Sequence, residues 1–132
     1  MVLVLQRTTH RILQALATSL ADLDLTASEI NALANLADGE ERSVRQLGLA
    51  TGTPPTTLTG ILDRLERRGH VTRELDAADR RSFRVALTDS GRRVAGKVRA
   101  AVSDLEEAAL AGISARQVAG YHAVLEALQE VS

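Results

Sequence analysis

Apolar residues recur at helical spacing from the start of the chain. Leu5, Ile12, Leu16, Leu20 and Leu23 follow at intervals of seven, four, four and three, with Leu13 and Ala17 widening the stripe. The pattern predicts a first helix over about Val2 to Leu23. Thr26 and Glu29 then stand three residues apart, the spacing at which each side chain can satisfy the other's backbone N–H. This capping box predicts a second helix that buries Ile30, Leu33 and Leu36 and ends near Asp38-Gly39. Ser43 and Gln46 repeat the device before a short third helix, which carries Val44, Leu47 and Leu49 and is expected to close at Gly52. Thr53 is expected to cap a fourth helix with Pro54 at its first position, where the missing N–H is no loss. Leu58, Ile61, Leu62 and Leu65 share one face of that helix, which stops at Gly69.

Beyond Gly69 the period falls from 3.6 to two. Phe83, Val85 and Leu87 alternate with Ser82, Arg84 and Ala86, and Val71 to Leu75 offers a second β-prone run, so the two predict a hairpin with Arg80 and Arg81 at its tip. Helical spacing returns after Thr88, a further cap. Val94, Val98, Val102, Leu105 and Ala109 define a fifth helix over about Asp89 to Ala111. Ser114 and Gln117 cap a sixth carrying Val118, Tyr121, Leu125 and Leu128, to about residue 130. The predicted fold class is mostly α with a small β-hairpin wing, in one domain spanning residues 1–132. Phe83 and Tyr121 are the only aromatic residues, so leucine, valine and alanine must fill the core.

Helices three and four, short and joined through glycine, spell a helix-turn-helix over about residues 26–88 once the hairpin is added. The outward face of helix four reads Pro55, Thr56, Thr57, Thr59, Gly60, Asp63, Arg64 and Arg67. Small hydroxyl side chains at the positive end of a helix dipole suit phosphates and base edges. A helix for the major groove, with Arg80 and Arg81 for the adjacent minor groove, makes a winged helix-turn-helix. Ser43 and Thr53, at the starts of the two helices, join this DNA-facing set.

Charge sharpens that reading. The net value of −1 argues against a nucleic-acid partner, but its distribution reverses the inference. Residues 1–41 carry two basic and six acidic side chains, residues 42–99 thirteen and six, and residues 100–132 one and five. A basic middle between acidic ends is a stripe, and local potential governs phosphate binding. The terminal helices (about 2–23, 89–111 and 114–130) hold more apolar surface than a small winged domain covers, which points to a homodimer; burial within one chain is the alternative.

Cysteine is absent, which excludes disulfides and thiol chemistry. His10, His70 and His122 lie far apart, so no metal or other cofactor is expected. No phosphate loop, nucleophile elbow or metal-spaced cluster suggests an enzyme. Neither a signal-peptide core nor a membrane span is present, and the chain reads as cytoplasmic.

In three stretches the sequence resembles the MarR family of bacterial transcriptional regulators. Leu58-Thr59-Gly60-Ile61-Leu62-Asp63-Arg64-Leu65-Glu66-Arg67-Arg68-Gly69 is similar to that family's recognition helix. Asp76-x-x-Asp79-Arg80-Arg81 resembles its wing, and Val85-Ala86-Leu87-Thr88-x-x-Gly91 the strand entering its dimerisation helix. The resemblance implies a two-fold dimer on palindromic double-stranded DNA, usually a repressor released by a small-molecule ligand. It implies major-groove positions for Thr56, Thr57, Gly60 and Arg64, a minor-groove position for Arg81, and a wing-orienting role for Asp79. Gly60 departs from the family, whose members often carry a larger, frequently basic residue there. The missing cysteine departs from its peroxide sensors. The alternative function is a winged-helix protein-interaction module that does not touch DNA.

Overall fold

A computed structural model describes residues 1–132. In chain order the elements are α1 (Val2–Ser19), a 3-10 turn (Ala21–Leu23), α2 (Ala27–Leu36), β1 (Arg42–Ser43), α3 (Val44–Thr51), α4 (Pro55–Arg67), β2 (Val71–Leu75), β3 (Phe83–Leu87), α5 (Asp89–Leu110) and α6 (Ala115–Glu130). The fold is mostly α with a winged helix-turn-helix, as the periodicity predicts. The chain forms two compact units, Met1–Val102 and Ser103–Ser132.

In the first unit, Ile30, Leu33, Leu36, Leu47, Leu65, Val85 and Val98 are fully buried, and Leu58, Leu62 and Val71 nearly so. Each side chain of this size, removed from water, contributes about 1.5–3 kcal/mol. These residues come from α2, α3, α4, the sheet and the first half of α5, so one core fixes α4 and the wing together. In the second unit, α6 has no buried residue; Val118, Leu125 and Leu128 are half-buried, and Tyr121 and Val124 are exposed.

All three expected capping boxes form, at Thr26–Glu29, Ser43–Gln46 and Ser114–Gln117. The two hairpin strands pair in antiparallel register from Val71 opposite Leu87 to Leu75 opposite Phe83. A third, two-residue strand, β1, adds to the far edge of β3 and gives the order β1-β3-β2. Two residues between helices carry too little periodicity to announce a strand.

Other expectations need correction. Helix α1 ends at Ser19 rather than Leu23, because the chain turns at Leu20 (φ −106°, ψ 26°) and again at Asp24 in the left-handed region (φ 51°). The turn brings Leu25 into the core, and aspartate is among the few residues that tolerate that conformation. Helix α4 starts at Pro55, with Pro54 rather than Thr53 at the cap position and no side-chain cap. Pro54 precedes another proline, which excludes it from helical geometry, and it sits at φ −60°, ψ 148°. Of the apolar residues on α3, Leu47 is buried and Leu49 is 76% exposed. In a helix as short as α3, Leu47 faces the core and a residue two positions on points away. Phe83 is also exposed, since it lies with Leu75 past the edge of the core that Val85 and Leu87 cover.

The first turn of α5 is pressed against the end of α4. Thr88 caps α5 by accepting from the Gly91 N–H, and it donates its hydroxyl to the Gly69 carbonyl and its N–H to the His70 carbonyl. A β-carbon placed on Gly91 would fall 1.8 Å from the His70 carbonyl oxygen, so only glycine permits this approach.

Candidate nucleic-acid interface

The amphipathic pattern of α4 decides which of its residues reach solvent. With Leu58, Ile61, Leu62 and Leu65 buried, Pro55, Thr56, Thr57 and Thr59 are exposed along the first turns and Arg64 further on. Thr56 and Thr57 make no side-chain hydrogen bond within the chain, whereas Thr59 donates to the Pro55 carbonyl at 2.9 Å and keeps only its acceptor capacity free. Gly60 is half-buried, and a β-carbon added there would meet nothing within 4 Å. Ser43 is half-buried and already accepts from the Gln46 N–H at 3.0 Å. Thr53, also half-buried, donates its N–H to the Gly48 carbonyl in closing α3.

The wing tip is built from two aspartates that bend the backbone. Asp76 Oδ1 accepts from the Ala78 N–H and Asp79 Oδ1 from the Arg81 N–H, at 2.9 and 3.0 Å. The Asp76 N–H donates to the Ser82 carbonyl and the Ser82 N–H to that of Asp79, which closes the loop. Asp79 therefore engages the backbone of Arg81 and leaves its guanidinium unpaired; Arg80 and Arg81 are exposed and neither forms an ion pair. An open cleft of about 670 Å³ has Thr53, Pro54 and Pro55 on one side and Asp79, Arg81 and Phe83 on the other. The wing tip and the start of α4 thus share one surface.

Three residues that hold this surface did not stand out from the sequence. Arg73, on β2, binds two carboxylates of α4: its Nε lies 3.0 Å from Glu66 Oε2, and Nη2 contacts Asp63. The Glu66 hydrogen bond is the largest cause of its raised pKa; partial burial opposes it and Asp63 adds to it. Alternation offered a signal, since Arg73 shares its strand face with buried Val71, where an arginine needs partners. Glu29, read as a capping residue, is also a buried carboxylate near Arg64 and Arg68. His70 is buried, with Nδ1 3.1 Å from Ser90 Oγ. Desolvation lowers its pKa from 6.5, Arg68 lowers it further, and Glu29 partly restores it.

The surface is that of a winged-helix protein, and known proteins agree. A sequence model described as the MarR family matches residues 23–82. The HTH-type transcriptional regulator TtmR of Methylorubrum extorquens (strain PA1) is 37% identical over 89 residues, 67% of this chain and 46% of that protein. The aligned part thus spans about half the length of that relative. A MarR-family transcriptional regulator from Silicibacter pomeroyi is 27% identical with TM-score 0.81, over 95% of this chain and 84% of that one. The S. aureus protein MepR in its DNA-binding conformation shares the fold, with TM-score 0.86 at 20% identity over 98% and 96% of the two chains. The chain is thus similar to the MarR family, most directly over residues 23–82. None of its helices is long and apolar enough to cross a membrane.

Proposed function

We propose that the protein is a sequence-specific DNA-binding transcriptional regulator: a repressor that binds a palindromic operator as a homodimer and is released by a small-molecule ligand. The observation that carries the DNA contact is that exposed Arg81, whose guanidinium has no partner in the chain, faces Thr53, Pro54 and Pro55 at the start of α4 across one cleft, with exposed Arg80 next to it in sequence. Thr56, Thr57, Thr59 and Arg64, with Pro55 and Gly60 between them, would enter the major groove, and Arg81 the minor groove, with Asp79 shaping the wing turn. Ser43 and Thr53 would lie at the edge of that contact. Dimerisation would use α1, α5 and α6, whose exposed apolar residues include Leu3, Val4, Ile12, Leu110, Tyr121 and Val124.

Selection of bound duplexes from a random-sequence pool, followed by titration at several salt concentrations, tests this reading. A palindromic consensus with half-sites about 10 base pairs apart, bound more weakly as salt rises, is expected. The alternative, a module that binds protein instead, draws support from exposed Leu49, Leu75 and Phe83 beside the wing. It predicts no retained duplex. Light scattering that finds a monomer at roughly micromolar concentration would remove the dimer from the proposal.

A further inference from the structure

The buried carboxylate of Glu29 does more than cap α2. It is 3% exposed, and its Oε2 makes no hydrogen bond. Its Oε1 accepts from the Thr26 N–H at 3.3 Å, completing the capping box. Two arginines of the α4 region face it, Arg64 with Nε 3.9 Å from Oε1 and Arg68 with Nη1 3.6 Å from Oε2. They are held differently. Arg68 spends its terminal nitrogens on the carbonyls of Asp24 and Leu23, at 2.6 and 2.8 Å, and so fastens the end of α4 to the turn after α1. Arg64 approaches the carboxylate through Nε at a distance that allows an ion pair but not a hydrogen bond, and its two terminal nitrogens have no partner in the chain. A carboxylate behind and a free fork in front is the arrangement in which an arginine is aimed before its target arrives.

We infer that Glu29 is a positioning residue for DNA binding: its buried charge attracts Arg64 on the Nε side, through an ion pair rather than a hydrogen bond, and so favours the orientation in which the terminal N–H groups point at a phosphate. The inference rests on the DNA-binding reading and adds a residue to it that touches no DNA. Pre-ordering a long side chain removes part of the entropy lost on contact. The expected sign is informative, because deleting a negative charge near a phosphate should by itself strengthen binding. Aiming predicts the reverse.

The experiment is a double-mutant cycle on the duplex selected by the wild-type protein. Glu29→Gln keeps an oxygen to accept from Thr26 and leaves the capping box intact, and its melting temperature shows that it folds. It should bind about two- to tenfold more weakly than wild type when Arg64 is present. In an Arg64→Ala background the same change should cause no further loss. Arg64→Lys should behave like Arg64→Ala with respect to Glu29, since one ammonium cannot be held from behind and reach forward as well. The Arg64 Nε–H resonance in the free protein, assigned by its loss in Arg64→Lys, should shift in Glu29→Gln.

Equal losses in both backgrounds would show that Glu29 acts on the fold alone and overturn the inference. So would unchanged or tighter binding by Glu29→Gln. In either case, binding by the wild type leaves the DNA-binding reading standing. If the wild type retains no duplex at all, that reading falls and this inference falls with it.

Discussion

The recognition helix and the wing tip face the same cleft but are held by opposite means. Helix α4 is fixed from within by four buried aliphatic side chains and from the sides by charge: Arg73 bridges Asp63 and Glu66, and Glu29 lies behind Arg64. The wing tip has no core. Its shape comes from backbone N–H groups donated to Asp76 and Asp79, and the side chains of Arg80 and Arg81 make no hydrogen bond or ion pair. A rigid helix can present a fixed pattern to base edges, while free arginines on a small turn can follow the local width of a minor groove. Stability therefore resides in one partner and adaptability in the other, and substitutions should separate them.

The largest effect is expected from the core side. Leu65→Ala, at a fully buried site, should cost about 2–5 kcal/mol of folding stability in denaturant titration. The paired wing change Arg80→Ala with Arg81→Ala should stay within about 0.5 kcal/mol in the same assay. A comparable loss from the wing pair would mean that its arginines do structural work.

Binding should reverse the order. Arg81→Ala is expected to weaken operator affinity by about 1–3 kcal/mol at moderate salt, with the melting curve unchanged. Arg64→Ala should lower the slope of log affinity against log salt by about one, as expected for one lost phosphate contact. Unchanged affinity in Arg81→Ala would reduce the wing to a surface hairpin.

Gly60 tests whether the helix side is optimised for stability or for approach. Alanine fits there without meeting any neighbour, so Gly60→Ala should raise stability by about 0.5–1 kcal/mol. If the bare position lets the helix seat deeper in the groove, the variant should also bind more weakly. A more stable protein that binds equally well would leave Thr56, Arg64, the wing and DNA shape to carry readout.

The smallest expected effect concerns pH. His70 has a pKa below 6.5, mainly through desolvation and then through Arg68, so the folded state prefers the neutral ring. Its stabilisation is fully present above the unfolded value and is lost as pH falls from about 6.5 through the lowered folded value. Chemical denaturation of wild type and His70→Gln at several pH values should show a shallower acid decline in the variant.

Most of the architecture was legible because its signals are local. Capping boxes, helix-ending glycines and strand alternation involve residues within a few positions of each other, and Val71–Leu75 and Phe83–Leu87 fall where the alternation puts them. What escaped depends on distant partners. Arg73 meets Asp63 across a turn, Glu29 meets Arg64 from another helix, and Gly91 meets the His70 carbonyl from the start of α5. Pro54 departs from the expected helical position for a local reason, since the proline after it disfavours helical geometry. Leu49 shows the reverse, an apolar residue that periodicity could not orient on so short a helix.

The Gly91 contact has a mechanical consequence. Where side chains separate two elements, a small displacement of one can be absorbed by a rotamer change and never reach the other. Here carbonyl and α-carbon touch directly, and Thr88 ties the same two backbones by hydrogen bonds on either side. The joint has no slack. A twist applied to the first turn of α5 must turn the Gly69-His70 corner with it, and that corner is the hinge post from which the recognition helix runs back and the wing runs forward.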